Sequence, residues 1–216
     1  MSDTSKKVLV LGTPKNAAVL MDVFEDSPEF SFVGVVSNQS PGAIDQEDFG
    51  LPIFWSDDIG HLVKDHFLTC SLGTTFRKTW ILDRIASGFQ FVRLFHHSSV
   101  VSQRTSFGAG AIVDAGVVVA GYCAIADHVR IGRQASIGHH ITIGEFSTIH
   151  PGAIISGNCD IGKQVTVGSG AIIIPGIKVG DGAFVAAGAV VVDDIPANAL
   201  VGGNPAKVLR KEYGPR

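Results

Sequence analysis

Residues 131–166 read IGRQAS IGHHIT IGEFST IHPGAI ISGNCD IGKQVT, which are six consecutive hexads that each begin with isoleucine. The same period runs unbroken from Val101 to Pro196, where a large apolar residue recurs sixteen times at every sixth position. Four places after each of these stands a small or β-branched residue, such as Ala135 or Ile141. A strict short period is typical of a solenoid, whose repeats bury their apolar residues against neighbouring repeats.

A period of six excludes an amphipathic helix, because a helical pattern would drift out of phase within a few repeats. Short strands joined by tight turns fit the period better. The β-branched residue then points inward, and glycines such as Gly132, Gly138 and Gly144 are expected to supply the positive φ of the corners. Three hexads closing one triangular coil would place residues eighteen apart directly above one another.

Composition limits the possible partners and compartment. The chain has 216 residues and a net charge of −3, which gives no electrostatic reason to bind nucleic acid or an anionic membrane. Residues 108–126 are apolar apart from Asp114, but their hexad period favours buried coils over insertion into a membrane. No signal peptide is visible. Of Cys70, Cys123 and Cys159, the last two lie two coils apart, too far for a disulfide, and are expected to be core residues, which favours the cytoplasm.

The first 95 residues follow a different pattern, in which strands and helices alternate. We expect a small parallel sheet of Rossmann type in residues 1–95, followed by a solenoid domain in residues 96–216. The expected strands are Lys7–Gly12, Phe30–Ser37, Leu51–Trp55, His66–Gly73 and Phe89–Phe95. The expected helices are Asn16–Asp26 and Thr75–Ser87.

Ligands of such sheets bind at the carboxyl ends of the strands. Those ends carry Thr13, Asn16, Asn38 and Thr74, which we predict to contact a ligand of the first domain. The first strand end lacks the pattern G-x-G-x-x-G, so a nicotinamide dinucleotide is not expected. The residues alone leave an equal alternative, in which the strand-end glycines only form turns.

Several longer motifs extend across both domains, and together they carry a family resemblance. They are LGT-x-x-N at 11–16, LGTTFRK at 72–78, LFHHSSVVS at 94–102, IGHHITIGEFSTIHPGA at 137–153 and GGNPAKVLR at 202–210. The chain resembles the hexapeptide-repeat sugar O- and N-acetyltransferases, which include bacterial UDP-4-amino-sugar N-acetyltransferases and sialic acid O-acetyltransferases. The resemblance implies a left-handed β-helix after the Rossmann-like domain, acetyl-CoA as co-substrate, a nucleotide-linked amino sugar as acceptor, and a homotrimer.

The resemblance places the catalytic base at His139. The residues eighteen before and after it are Gly121 and Gly157, so the spacing predicts a histidine on an open shelf rather than an ordinary surface histidine. In relatives, the amide at the position of Gly157 holds the thioester carbonyl of acetyl-CoA. His139 would then act as general base, with the Gly157 amide as donor to the carbonyl oxygen.

The chain departs from the family pattern at three places. His140 stands where the family usually has Glu or Asp, and a neutral imidazole cannot stabilise an imidazolium as a carboxylate does. We expect the side chains of His139 and His140 to diverge, with only one facing the shelf. Asn16 stands where relatives have a substrate-contacting histidine, and Ser37-Asn38 replace an aspartate that reads the nucleotide base.

Small residues recur in the last coils, as an extended pantetheine arm requires. We expect acetyl-CoA to lie along Gly157, Ser169 and Ala187, with Lys207 near its phosphates. A surface charge without this role is the alternative for Lys207.

Three other functions stay open at this point. The first is O-acetylation of a sialic acid, which the same base would serve. The second is a zinc enzyme, suggested by several solenoid histidines, although no pair of them is separated by a multiple of eighteen; they are His128, His139, His140 and His150. The third is a trimeric scaffold without catalysis. The sequence favours the N-acetyltransferase and no metal.

Overall fold

The computed structural model describes residues 5–25, 27–39, 50, 52–73 and 76–213. The chain divides into two compact units, Met1–Leu94 and Phe95–Arg216. In the part of the chain so described, no helix has both the length and the apolar character needed to cross a membrane.

The first unit contains a parallel sheet of four strands in the order β3-β2-β1-β4. The strands are β1 (Lys6–Leu11), β2 (Phe30–Ser37), β3 (Ile53–Trp55) and β4 (His66–Cys70). The central strand β1 buries four consecutive residues, from Val8 to Leu11, completely. Such a continuous apolar run is typical of a parallel strand that is covered on both faces.

The helices of this unit are shorter than the sequence predicted. They are α1 (Pro14–Ala17), α2 (Met21–Glu25) and α3 (Phe76–Ala86), with 3-10 turns at Ala18–Leu20 and Ile59–Leu62. The helical segment predicted over Asn16–Asp26 is present but starts two residues earlier, and a 3-10 turn interrupts it; Asp26 lies outside the described residues. The missed start signal is Thr13, whose hydroxyl accepts a hydrogen bond from the Asn16 amide at 3.3 Å, followed by Pro14 at the first helical position.

The strand predicted over Phe89–Phe95 is also wrong in its extent. Only Phe91 pairs within the first sheet, as an isolated bridge to Leu68, and Leu94–Phe95 form a separate short strand.

The second unit is a solenoid of two-residue strands with a terminal hairpin. In chain order these are β5 (Leu94–Phe95), β6 (Val100–Val101), β7 (Ser106–Phe107), β8 (Ile112–Val113), β9 (Val118–Val119), β10 (Ala124–Ile125), β11 (Arg130–Ile131), β12 (Ser136–Ile137), β13 (Thr142–Ile143), β14 (Thr148–Ile149), β15 (Ile154–Ile155), β16 (Asp160–Ile161), β17 (Thr166–Val167), β18 (Ile172–Ile173), β19 (Lys178–Val179), β20 (Phe184–Val185), β21 (Val190–Val191), β22 (Leu200–Gly203) and β23 (Ala206–Arg210).

These strands form three faces, as the eighteen-residue coil predicts. The first face has the order β23-β22-β20-β17-β14-β11-β8-β5, the second β21-β18-β15-β12-β9-β6, and the third β19-β16-β13-β10-β7. From β6 to β21, paired strands are parallel and eighteen residues apart, so that Ile131 lies beside Ile149 and Ile149 beside Val167. Side chains at one hexad position therefore stack in columns along the solenoid axis.

The solenoid core is built from the two predicted positions of each hexad. From Val113 to Val191 the large apolar residues are at most 3% exposed, and the small residues between them are buried with them. Ser147 is a polar residue at a core position, and it is satisfied there. Its hydroxyl donates to the Gly162 carbonyl at 2.8 Å and accepts from the Val165 amide at 3.0 Å.

The glycines at the second hexad position have a different role from the one the sequence suggested. Positive φ occurs at the fourth position instead, for example at Gly170 with φ 65° and at Asn158 with φ 61°. At Gly144, a Cβ atom would lie 2.6 Å from the carbonyl carbon of Gly162 in the next coil. Glycine is therefore needed at residue 144, because the two coils approach backbone to backbone there, whereas other hexads carry larger residues at the second position, such as His150.

We predict that Gly144→Ala lowers the free energy of unfolding by about 1–3 kcal/mol, the usual cost of forcing an extra methyl into a packed interior. Gly170→Asn is the matched control. It changes a glycine with no atom within 4 Å of its Cβ position, and asparagine already occupies the equivalent turn position at Asn158. Thermal and denaturant unfolding of both variants measure the difference. Equal losses for the two would contradict the role of close coil contact.

Candidate active site

The candidate site lies at the corner between the second and third faces, which we call the histidine corner. Strand β12 leads into it and β13 leaves it, with His139 and His140 in the turn, both exposed. The corner is tied to the coils on either side. His140 donates its amide hydrogen to the Gly121 carbonyl at 3.2 Å, and the His139 carbonyl accepts from the Asn158 amide at 2.9 Å. The turn that carries the two histidines is therefore held by backbone hydrogen bonds.

The His139 imidazole lies directly over Gly157. A Cβ atom at residue 157 would be 2.7 Å from the ring carbon Cε1 and 2.8 Å from Nε2. The backbone of Gly157 is not in the left-handed region, so the space taken by the ring is what requires glycine there. The shelf predicted from the spacing exists, and the imidazole itself occupies it.

The amide of Gly157 lies in the same place and is available to a ligand. At another corner, the equivalent amides of Ala109 and Lys163 each donate to an aspartate one coil further on, Asp127 and Asp181, at 2.8 Å. The residue one coil after Gly157 is Pro175, which offers no side-chain acceptor. Within the described ranges, the Gly157 amide has no acceptor. It can donate to a carbonyl oxygen placed beside His139.

The two histidines touch, and the expectation that their side chains diverge is wrong. Nδ1 of His139 lies 3.0 Å from Nδ1 of His140, and the two rings meet edge to face with their centroids 5.2 Å apart. His140 has a left-handed backbone with φ 54°, and its side chain contacts the ring of His139. Tyr122 stacks on the other side of the corner against His140, with ring centroids 4.9 Å apart and an angle of 20°.

The nearest acids in the sequence are occupied elsewhere. Glu145 forms an ion pair with Lys163 at 3.3 Å, and Asp127 accepts from the Ala109 amide at another corner. As far as the structure describes the chain, the polar partner of the His139 side chain is His140, and no carboxylate takes that place.

The remaining histidines do not converge with this pair. His128 is buried and stacks on Phe146 at a different corner, with ring centroids 5.0 Å apart. Burial, assisted by the charge of Arg130, lowers the pKa of His150. Among the described residues, no three histidine, cysteine or acidic side chains form a group able to hold a metal ion.

Two of the four residues predicted to bind acetyl-CoA lie along one edge of the second face. Ser169 and Ala187 occupy one column, since the Ser169 carbonyl accepts from the Gly188 amide of the next coil at 2.9 Å. Lys207 lies on β23 opposite Gly202, in the hairpin that follows that column. It is exposed, with Nζ 3.8 Å from the Asp193 carboxylate. Gly157 lies at the opposite edge of the second face, beside His139.

The residues predicted to bind the acceptor follow neighbouring strands of the first unit. Strand β1 pairs with both β2 and β4, and the order of strands reverses between β1 and β4, where ligands of open parallel sheets bind. Thr13 follows β1, and Asn38, which is exposed, follows β2. Asn16 is exposed on α1, while Thr74 lies outside the described residues.

Sequence reasoning missed two residues of these sites. Ser71 follows β4 and donates its hydroxyl hydrogen to the Leu11 carbonyl at 3.2 Å; it also fills the space of a Cβ at Gly12, which explains that glycine. Tyr122 is the second, and its spacing of eighteen from His140 is the signal that identifies it.

We predict that Gly157→Ala lowers kcat by about 10- to 100-fold, because the new methyl must displace the His139 ring and small displacements of reacting groups cost this much. Gly121→Ala is the comparison in the same column. Its Cβ would meet the Ser102 hydroxyl at 3.2 Å and the Arg104 Cβ at 3.7 Å, so a smaller loss is expected. Steady-state kinetics with circular dichroism as a check on folding measure both. A larger loss for Gly121→Ala would contradict this geometry.

Comparisons with known proteins agree with the fold. The model of the family "bacterial transferase hexapeptide (six repeats)" matches residues 158–193. A search of curated protein sequences gave no significant match. Among solved structures, the acetyltransferase domain of PglB from Neisseria gonorrhoeae is 28% identical, with a TM-score of 0.83 over 95% of this chain and 100% of that one. That domain has also been solved with acetyl coenzyme A.

A second similar structure is the perosamine N-acetyltransferase from Caulobacter crescentus, which is 26% identical. The match has a TM-score of 0.84 and covers 95% of this chain and 97% of that one, in a complex with CoA and GDP-perosamine. The fold alone is shared with WeeI from Acinetobacter baumannii, at 23% identity and a TM-score of 0.83 over 94% of this chain and 99% of that one. The predicted fold class, a small Rossmann-like sheet followed by a left-handed β-helix of hexapeptide repeats, is confirmed. The chain thus carries hexapeptide-transferase repeats at residues 158–193 and is similar over most of its length to sugar N-acetyltransferases.

Proposed function

We propose that this protein transfers the acetyl group of acetyl-CoA to the amine of a nucleotide-linked amino sugar. The observation that carries the proposal is the placement of the His139 ring directly against Gly157, whose amide has no acceptor in the described structure. A base and an oxyanion donor then face the same point. The Neisseria domain binds acetyl coenzyme A and the Caulobacter enzyme binds GDP-perosamine, which favours N-acetylation over O-acetylation of a sialic acid.

The chemistry follows from these two groups. Nε2 of His139 takes a proton from the sugar amine as the amine nitrogen attacks the thioester carbonyl. The carbonyl oxygen becomes an oxyanion and accepts a hydrogen bond from the Gly157 amide. The tetrahedral intermediate collapses, the carbon–sulfur bond breaks, and the CoA sulfur leaves as a thiol after it receives the proton from His139.

We assign the substrate contacts to the residues predicted from the sequence. Acetyl-CoA would place its thioester at Gly157 and its pantetheine arm against Ser169 and Ala187 at the opposite edge of the second face, with Lys207 near its phosphates; the small side chains of Ser169 and Ala187 suit an extended arm. The nucleotide-linked sugar would contact Thr13, Asn16, Asn38 and Thr74 at the strand ends of the first unit. Cys70, Cys123 and Cys159 are buried and form no disulfide, which supports a cytoplasmic location.

We also propose a homotrimer whose contacts use the second face. Apart from Ser136, the outward residues of this face are apolar and form a ladder, in which Val100 is 65%, Val118 46%, Ile154 41% and Ile172 36% exposed. The same positions of the third face carry Ser106, Ala124, Thr142, Asp160 and Lys178. An apolar ladder on one face marks a contact surface, and a second copy of the chain is the partner that the family resemblance implies.

The first test is acetyl transfer to a panel of nucleotide-linked 4-amino sugars, GDP-perosamine included, followed by release of free thiol. We predict that His139→Ala lowers kcat by at least about 100-fold with KM for both substrates little changed, since general-base catalysis contributes about 10²–10⁴-fold. His140→Ala should cost about tenfold or less, because its neutral ring can only position its neighbour. A greater loss for His140→Ala would show that the base is misassigned.

The second test concerns the assembly. We predict that Ile154→Glu dissociates the trimer, because it places charges in the centre of the apolar ladder, whereas Ala124→Glu on the third face leaves the trimer intact. Light scattering with size exclusion at micromolar concentration measures the mass. A wild-type protein that is monomeric under these conditions would exclude the assembly.

A further inference from the structure

The hydrogen bond between the two histidines has a direction that matters for catalysis. Nδ1 of His139 and Nδ1 of His140 are 3.0 Å apart, so one of them must carry the hydrogen and the other must offer its lone pair. If Nδ1 of His139 donates, its Nε2 has the lone pair and faces Gly157 as a base. If Nδ1 of His140 donates, Nε2 of His139 is protonated and cannot accept a proton from the substrate.

The orientation of His140 depends in turn on Tyr122. The two residues occupy the same position of successive coils, and their rings stack with centroids 4.9 Å apart and an angle of 20°. Tyr122 is itself held from the preceding coil, because its amide donates to the Arg104 carbonyl at 3.2 Å and the Arg104 guanidinium carbon lies 6.0 Å from its ring centroid. Arg104, Tyr122 and His140 thus form one column that ends at the Nδ1 of His139.

Two turns of this column have a left-handed backbone, as turns of the solenoid do elsewhere, for example at Gln134 and Gln164. Tyr122 and His140 have φ of 64° and 54°, in the left-handed region where a side chain other than glycine or asparagine costs about 1–2 kcal/mol. Glycine occupies the same place one coil after Asn158, at Gly176, without that cost. The chain instead keeps two aromatic rings in the coils next to His139.

We propose that His140 and Tyr122 are positioning residues for His139. Tyr122 holds the His140 ring by stacking, and His140 accepts the Nδ1 hydrogen of His139, which leaves Nε2 free to take the proton of the substrate amine. This inference rests on the proposed function, in which His139 is the base. It extends that function by assigning to a neutral imidazole and a tyrosine ring the task of orienting the base.

A neutral acceptor suffices for this task throughout the reaction. When Nε2 of His139 takes the substrate proton, the ring becomes a cation and its Nδ1–H bond to His140 becomes charge-assisted, which shortens and strengthens it. His140 then has to remain an acceptor, because the cationic ring has only donors. The direction of the hydrogen bond is the same before and after proton transfer, so neither ring has to turn.

A spectroscopic experiment tests the positioning without turnover. In the full-length protein with ¹⁵N-labelled histidine, we expect the ring nitrogens of His139 to show the tautomer protonated at Nδ1. His140→Ala and Tyr122→Leu should both convert His139 to a mixture of tautomers, whereas Tyr122→Phe, which keeps the stacked ring, should preserve the wild-type signal. Phe146→Leu is the matched control, since it removes the ring that stacks on His128 at another corner. A His139 ring protonated at Nε2 in the wild type would overturn the proposal.

Kinetics test whether Tyr122 acts through His140. We expect Tyr122→Leu to lower kcat by about three- to tenfold with KM unchanged, and to have no further effect in the His140→Ala background, because residues that act as a unit are not additive. His140→Glu, which supplies a carboxylate acceptor, should retain activity. Additive losses, or a loss in Tyr122→Phe equal to that in Tyr122→Leu, would show that Tyr122 does not act by stacking on His140.

The two experiments separate this inference from the proposed function. If the wild type acetylates no nucleotide-linked amino sugar but the tautomer of His139 depends on His140 and Tyr122, the proposed function fails and the positioning stands. If the protein is active but Tyr122→Leu changes neither the tautomer nor kcat, the positioning role fails and the function stands.

Discussion

The structure of the second unit depends on the close stacking of its coils, which bond to one another through the backbone at every turn. The amide of Gly138 donates to the Ile155 carbonyl at 2.8 Å, and Ser156 repeats the bond to Ile173 at 3.0 Å one coil further on. Strand layers in this geometry lie about 4.8 Å apart. At that spacing, a side chain has room only if the side chains eighteen residues before and after it leave space for it. The sizes of the side chains in one column therefore depend on one another.

This constraint accounts for features that look unrelated in the sequence. Glycines at the second hexad position allow one backbone to lie against the next, while aromatic rings at the fourth position stack at the spacing of the coils. His128 with Phe146 and Tyr122 with His140 are two examples at different corners. The proximity of the His139 ring to Gly157 has the same origin, because only a residue without a side chain leaves space for an imidazole from the preceding coil.

The hexad period was sufficient to predict the solenoid, its three faces and the neighbourhood of His139, because a strict period converts sequence separation into spatial position. It did not predict which turn residue has positive φ, since glycines occur at both the second and the fourth positions. It also did not predict the contact between His139 and His140, where His140 has a left-handed backbone that is uncommon for residues other than glycine. In the first unit, apolar spacing gave the sheet but misplaced the start of the first helix, where Thr13 and Pro14 are the decisive signals.

At the turns, a backbone amide can donate its hydrogen bond either to a side chain of the next coil, which stabilises the fold, or to a substrate. The third residue of a hexad presents its amide toward the coil that follows, and at the corner of Asp127 and Asp181 an aspartate carboxylate accepts that hydrogen bond. An aspartate in place of Pro175 would satisfy the Gly157 amide in the same way and would place a negative charge where an oxyanion has to form. Proline has no acceptor side chain, so the hydrogen bond that stabilises the other corner is absent here. The amide is left for the substrate carbonyl, beside the one imidazole in this column.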